Sequence, residues 1–421
     1  MNADSVLALV LAAIVVGGMA ARPLYPKLPT WSLMSLAAFI AVFLGPLTVD
    51  DVAKVINFEV VLFLIGMFSI VALAESSGLL NAFAYGFVSL FKTRLSIFVA
   101  SSLLFGLMSA FAVNDTVALM GPPIAAAIAR AAGIEPRHMF LLLAYSLTIG
   151  SVMTPIGNPQ NMLIAVESGM KAPFIAFLTH LAVPTLINLV LTPLLLFKLF
   201  GIKNERARYA AVALEYITNR RDAAVAGLVL ASTVAALVIN DLAALAGQPH
   251  VHNIGLIPFV SASILYFLAS SPRDVLARVE WGTILFFMAM FITMDAIWRG
   301  GVLQPLISAA LPAHHGTSQD LLAIVLLSVG LSQVLSNVPF VSLFTTYLHE
   351  LGVQDPKAWV TLAMASTVAG NLTLLGAASN IIILEVLETR HGATVTFTQF
   401  LKYGAAVTAL NLAVYLPFLL L

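Results

Sequence analysis

Residues 95–129 read LSIFVASSLLFGLMSAFAVNDTVALMGPPIAAAIA, and residues 321–348 read LLAIVLLSVGLSQVLSNVPFVSLFTTYL. Each is a long apolar run broken near its middle, the first by Asn114-Asp115-Thr116 and the second by Ser336-Asn337-Val338-Pro339. Each run is about twice the length of a helix that reaches halfway into a bilayer. Both are therefore expected to be re-entrant hairpins, which enter and leave on one side of the membrane. Non-helical backbone at that depth is tolerated only against protein or a water-filled cavity, because every unsatisfied backbone group costs several kcal/mol in lipid. The two breaks are thus expected inside the protein.

The rest of the chain fits a bilayer. Of 421 residues, 60% are hydrophobic and 10% charged, with a mean hydropathy of +1.00, whereas soluble domains carry about 25% charged residues. Twenty Lys and Arg balance twenty Asp and Glu, which excludes a basic nucleic-acid-binding surface. The absence of cysteine excludes disulfides, thiolate metal sites and a cysteine nucleophile. No cofactor or metal site is expected. No His-Glu-x-x-His occurs, so an intramembrane enzyme is disfavoured against a transporter.

Apolar stretches long enough to cross lie at 5–21, 31–49, 58–76, 139–166, 172–197, 223–245, 254–271, 281–298, 358–386 and 403–421. Residues 80–91 and 302–312 are too short and are expected to be interfacial. The first segment lacks a basic leading region, so no cleavable signal peptide is expected. Along this path 16 basic residues fall on one side: Arg22, Lys27, Lys92, Arg94, Arg130, Arg137, Lys198, Lys203, Arg206, Arg208, Arg220, Arg221, Arg273, Arg278, Arg390 and Lys402. Lys54, Lys171, Arg299 and Lys357 fall on the other. The positive-inside rule then makes the 198–222 segment cytoplasmic and both termini external.

An offset of 223 residues lays Phe58–Phe68 on Trp281–Phe291, Asp51 on Asp274, Gly78 on Gly301 and Asn114 on Asn337. With a four-residue adjustment, Thr154-Pro155-Ile156-Gly157-Asn158-Pro159-Gln160-Asn161 falls on Thr373-Leu374-Leu375-Gly376-Ala377-Ala378-Ser379-Asn380. Polar breaks at matching offsets do not arise readily by chance. The expected organisation is a first repeat over 1–200, with hairpin 95–129 and interrupted helix 139–168, then a linker at 201–222. A second repeat follows over 223–421, with hairpin 321–348 and interrupted helix 358–388. Five crossings per repeat would invert the second half. The fold class expected is an all-α polytopic membrane protein with an inverted repeat, about ten transmembrane helices, two re-entrant hairpins and two interrupted helices, an arrangement suited to alternating access.

Polar side chains gather at membrane depth in four places. Candidates for binding solute are Asn114, Thr116, Thr154, Gly157, Asn158, Asn161, Asn337, Asn371, Thr373, Gly376, Ser379 and Asn380. Unwound backbone offers carbonyls to cations and helix N-termini to oxygen-bearing solutes, glycine permits close approach, and Asn and Thr add donors and acceptors. The competing reading makes Asn114, Asp115 and Ser336 simple helix caps. Asp115 is an acid between apolar runs, where charge costs at least about 2.5 kcal/mol, and its repeat partner is Val338. It is the candidate for proton coupling. Glu59, Glu75, Asp241, Glu280 and Asp295 lie nearer segment ends and are read as structural, and His180 as a satisfied bundle histidine.

The Asn114-Asp115-Thr116-Val117-Ala118-Leu119 run, the Thr154–Asn161 run and the Gly370–Asn380 segment resemble the ion transporter superfamily, closest to the branch of the arsenite efflux permease ArsB and the sodium/proton antiporter NhaD. The resemblance covers nearly the whole chain. It implies paired hairpin tips and interrupted helices around one site, in a transport domain that moves against a scaffold. It also implies a multi-pass protein of the bacterial inner membrane, with a soluble ATPase partner or a homodimer as candidate assemblies. No Lys or Arg is expected at mid-depth, which disfavours a bare polyanion. Arsenous acid, neutral at pH 7, suits Asn and Thr hydrogen bonds. The leading expectation is proton-coupled efflux of arsenite or antimonite. The alternatives are a sodium/proton antiporter or a sodium-coupled anion symporter of dicarboxylate type.

Overall fold

The computed structural model describes residues 3–21, 29–45, 47–207, 217–311, 313 and 316–420. Arg22, Lys27, Arg208 and the 208–216 part of the linker lie outside them. The first half runs α1 (Ala3–Ala21), α2 (Thr30–Leu44), α3 (Val49–Val55), α4 (Phe58–Ser76), α5 (Leu79–Val88), α6 (Arg94–Ala112), α7 (Asn114–Ala132), α8 (Pro136–Ser151), α9 (Pro159–Glu167), α10 (Pro173–Phe177) and α11 (Val183–Leu199). A π-helical turn, Leu178–Ala182, joins the last two. The second half runs α12 (Arg220–Leu245), α13 (Leu256–Leu268), α14 (Pro272–Ala277), α15 (Trp281–Arg299), α16 (Gln304–Ala310), α17 (Ser318–Leu335), α18 (Asn337–Glu350), α19 (Pro356–Ala369), α20 (Ala378–His391) and α21 (Phe397–Leu420). Every regular element among the described residues is helical.

The element boundaries repeat at the offsets read from the sequence. Helices α4 and α15 start and end 223 residues apart, α3 and α14 start 223 apart, and α9 and α20 start 219 apart. Both hairpins turn on one residue, Val113 and Ser336, again 223 apart. These are the described non-glycine residues with positive φ, at 60° and 69°. Such backbone costs about 1–3 kcal/mol and persists only where the surroundings impose it.

Among the described residues, seven helices are long and apolar enough to cross a membrane, and they include the hairpin arms α6 and α17. At 19 and 18 residues these arms exceed a half-membrane helix. The lipid face is plain on α12 and α13, where Leu228, Ile239, Val260 and Ile264 are exposed and Phe267 is 94% exposed. Water would not tolerate that belt.

The halves interlock. Helix α15 of the second half packs on α1 and α2 of the first, α4 packs on α12 and α13, and α20 packs on α7. Two crossings need glycine. A Cβ on Gly150 of α8 would overlap the Gly106 backbone of α6, and one on Gly66 of α4 would overlap the Pro258 backbone of α13. Backbone cannot rotate aside as a side chain can, so small residues set these helix separations. Gly150→Ala is expected to cost about 1–3 kcal/mol, the usual range for overpacking. Thermal unfolding in detergent checks this, with Gly86→Ala, whose Cβ meets open space, as the control that should not fall comparably.

Candidate functional site

Where α8 stops at Ser151, its last carbonyls lose their intrahelical partners. Asn161, in the first turn of α9, supplies them: its Nδ2 donates to the carbonyls of Ser151 at 2.9 Å, Thr154 at 3.1 Å and Val152 at 3.3 Å. Asn158 caps α9 by accepting from the Asn161 N–H at 2.8 Å, and Pro159 opens the helix, where its missing N–H is no loss. Gly157 is required because a Cβ there would overlap the Ser151 carbonyl. The second break is built alike. Asn380 Nδ2 donates to the carbonyls of Gly370 at 2.8 Å and Thr373 at 3.3 Å.

Each break is tied to the hairpin of its own half at corresponding positions. Thr154 Oγ1 donates to the Ala110 carbonyl on α6, and Thr373 Oγ1 donates to Gln333 Oε1 on α17 at 2.7 Å. Positions 110 and 333 are again 223 apart. The N–H of Asn114 at the first tip donates to the Gly157 carbonyl at 2.8 Å. Thr367 of α19 joins the halves: it accepts from Asn158 Nδ2 at 3.2 Å and donates to Asn161 Oδ1 at 3.2 Å.

These elements enclose a cavity of about 390 Å³. From both hairpin tips it is lined by Asn114, Asp115, Ser336 and Asn337; from the breaks by Gln160, Ala378 and Ser379; and from α2 and α15 by Trp31, Glu280 and Thr283. Of the residues singled out from the sequence, Asn114, Asp115, Asn337 and Ser379 face it. Thr116, Thr154, Gly157, Asn158, Asn161, Asn371, Thr373, Gly376 and Asn380 do not line it. The asparagines and threonines of the breaks spend their donors on neighbouring carbonyls and side chains, so they shape the wall from behind. Asn371 belongs elsewhere, in a buried chain: its Nδ2 donates to Asn411 Oδ1 at 3.3 Å, and Asn411 donates to Asn188 and Thr192, both at 3.0 Å.

Several acceptors remain open. The buried oxygens Asn114 Oδ1, Asn337 Oδ1, Asn380 Oδ1 and Ser379 Oγ have no hydrogen-bond partner, a costly condition for polar atoms away from water. Asp115 lies in the first turn of α7, where the helix dipole favours a carboxylate. Glu280 departs from the sequence reading because it faces the cavity. Other acids are structurally engaged: Glu59 accepts from the Gly255 N–H at 3.1 Å, Asp241 from that of Ile175 at 3.0 Å, and Asp295 pairs with Arg299 at 2.7 Å. Among the described residues, no Lys, Arg or His lines the cavity.

A second contact lies at the far end of α9. Glu167 accepts from Asn57 Nδ2, at the cap of α4, at 2.6 Å, and pairs with His349 Nε2, on the last turn of α18, at 3.5 Å. Position 57 corresponds to position 280 at the offset of 223. Asn57 is thus hydrogen-bonded to Glu167, while Glu280 at the corresponding position borders the cavity. Neither Asn57 nor Gln333, Thr367, Asn188 and Asn411 was singled out from the sequence. The pairing of Asn188 with Asn411 at the same offset was the available signal.

The citrate transporter family CitMHS matches residues 9–369. An uncharacterized transporter of Mycobacterium tuberculosis (strain ATCC 25618 / H37Rv) is 30% identical over 370 residues, covering 85% of this chain and 84% of that protein. The 46 kDa membrane protein of Mycobacterium leprae (strain TN) is 28% identical over 379 residues, covering 85% of each. The P protein of Homo sapiens is 24% identical over 472 residues, covering 92% of this chain and 56% of P protein. The fold resembles that of the Alcanivorax borkumensis YdaH transporter, whose crystal structure is described as revealing an unusual topology, with a TM-score of 0.60, 14% identity and coverage of 99% and 98% of the two chains.

Asn161→Ala is expected to strip three carbonyls of their donor, at about 1–3 kcal/mol for a buried unsatisfied group. It should lower thermal stability and reduce any transport rate more than apparent solute affinity. An affinity loss with unchanged stability would place Asn161 in direct solute contact instead.

Proposed function

Since the chain belongs to the citrate transporter family CitMHS, and is thus a membrane transporter of a small solute, we propose that it is an alternating-access secondary carrier for an oxygen-rich solute accompanied by a cation. The observation that carries this reading is the central cavity, to which both hairpin tips and both helix breaks contribute. Two inverted repeats, 1–200 and 223–421, joined by the linker at 201–222, account for that convergence. The open amide oxygens and the acids Asp115 and Glu280 favour positive charge, while the lack of Lys, Arg and His disfavours a bare polyanion. A carboxylate enters such a site with its charge offset by a metal ion, sodium or protons. Asp115 is the group proposed to couple proton movement to the solute.

In this reading the contacts of Glu167 with Asn57 and His349 close one end of the path, and the end bordered by Glu280 is the open one. The orientation expected from the basic residues makes the closed end external and the bacterial inner membrane the compartment. The cation-free cavity wall also favours a second reading, a neutral trihydroxide such as arsenite or antimonite, for which resemblance to ArsB argues and family membership does not.

Purified protein in proteoliposomes tests these readings. Labelled citrate should accumulate only when a magnesium, sodium or proton supply accompanies it, and Asp115→Asn should abolish proton-driven accumulation while leaving thermal stability intact. Citrate uptake indifferent to every cation would refute the coupling. Failure of citrate uptake combined with arsenite resistance in a sensitive host would select the second reading. A second expectation concerns the closed end: Glu167→Gln weakens its contact with His349, which is charge-assisted only when His349 is protonated. It should increase labelling of a cysteine placed at Asn114 by an external impermeant thiol reagent. Unchanged labelling would remove Glu167 from the gate.

A further inference from the structure

A second cavity, of about 790 Å³, lies between the loop after α9, the π-helical turn before α11, the end of α12 and the segment joining α18 to α19. It adjoins the Asn57–Glu167–His349 contact through His349 and so sits just beyond the closed end of the path. Its chemistry is opposite to that of the central cavity. Lys171, His180 and His349 line it, and no Asp or Glu does. The acids nearest its wall are engaged: Glu167 holds His349 and Asn57, Asp241 accepts the Ile175 N–H, and Asp355 caps α19 by accepting from the Lys357 N–H at 3.0 Å. Lys171 is exposed and forms no ion pair among the described residues.

His180 is hydrogen-bonded within its helix, as its sequence position suggests, but only through one ring nitrogen. It lies in the π-helical turn, a local insertion that redirects side chains and recurs at functional sites. Its Nδ1 is 2.8 Å from the Ala176 carbonyl and 3.2 Å from Thr179 Oγ1. The carbonyl can only accept, so Nδ1 carries the proton and Nε2 of the neutral ring keeps a lone pair. Beside His349, whose Nε2 Glu167 engages, the cavity therefore presents one fixed cation, Lys171, and one acceptor, His180 Nε2. A simple anion would use only the first.

We propose that this cavity is an outer capture site for an oxyacid carrying both an anionic oxygen and a hydroxyl, with a hydroxycarboxylate as the representative ligand, Lys171 holding the anion and His180 Nε2 accepting the hydroxyl proton. The proposal rests on the chain being a solute carrier and deepens that reading by naming a place of first contact. Solute would meet positive charge here and shed the need for it only on joining a cation in the central cavity.

The test uses the full-length purified protein and requires no transport. Acetylation of Lys171 by a sulfo-succinimidyl acetate is followed by mass spectrometry, with exposed Lys54 and Lys203 as internal references. Citrate at twice its Kd should slow Lys171 modification about threefold, since protection follows 1 + [L]/Kd, and leave the references unchanged. Tricarballylate, which has the same carboxylates without the hydroxyl, should protect less at equal concentration, and His180→Ala should erase the difference. Lys171 modification unaffected by citrate would overturn the site, and equal protection by both acids would overturn the assignment of His180. Protection without vesicle uptake would support the capture site and count against citrate as the transported solute. Uptake without protection would support the transport reading and refute the capture site.

Discussion

The whole arrangement depends on satisfying backbone carbonyls where two helices stop inside the membrane. A helix that ends at depth leaves unpaired carbonyls in a medium that offers nothing to replace them. Asn161 and Asn380 answer this by folding their amide groups back over the carbonyls before the break. Thr154 and Thr373 fasten the two breaks to the hairpin arms. The tips can then lie against the breaks, despite positive φ at Val113 and Ser336, and the cavity forms where four irregular segments meet.

The symmetry is not complete, and the departures carry the chemistry. In the first break Asn161 Oδ1 receives a hydrogen bond from Thr367, whereas the oxygen of its counterpart Asn380 is open. Asp115 stands opposite Val338 in the repeat, and Asn57 stands opposite Glu280. One end is closed by amide-to-carboxylate contact and the other is bordered by an unlike residue at the same scaffold position. Exchanging the roles of the two repeats would therefore not reproduce the same set of contacts. The basic outer cavity and the acidic central one divide the task of handling a charged solute.

The fold was legible to a large extent because bilayer thickness and polar breaks are coarse signals. Helix α4 begins and ends at the residues expected, and both breaks fall where Gly and Asn, joined in the first by Pro155 and Pro159, interrupt apolar sequence. The site was only partly legible. Asn161 and Asn380 have the composition of ligands, yet whether an amide faces solute or backbone depends on three-dimensional closure. Glu280 was read as structural for the same reason, and it reaches the cavity through the packing of α15 on α2; the π-helical turn that holds the hydrogen-bonded His180 is likewise not announced by the sequence.

The central claim is that solute passes by alternating closure about Asn57 and Glu280. The natural absence of cysteine permits a direct measurement: introduce Asn57→Cys with Glu167→Cys, oxidise the pair in proteoliposomes, and record solute exchange before and after reduction. The account predicts that the cross-link forms readily, arrests exchange, and releases it on reduction. Full exchange with the cross-link intact would show that this contact does not gate the path.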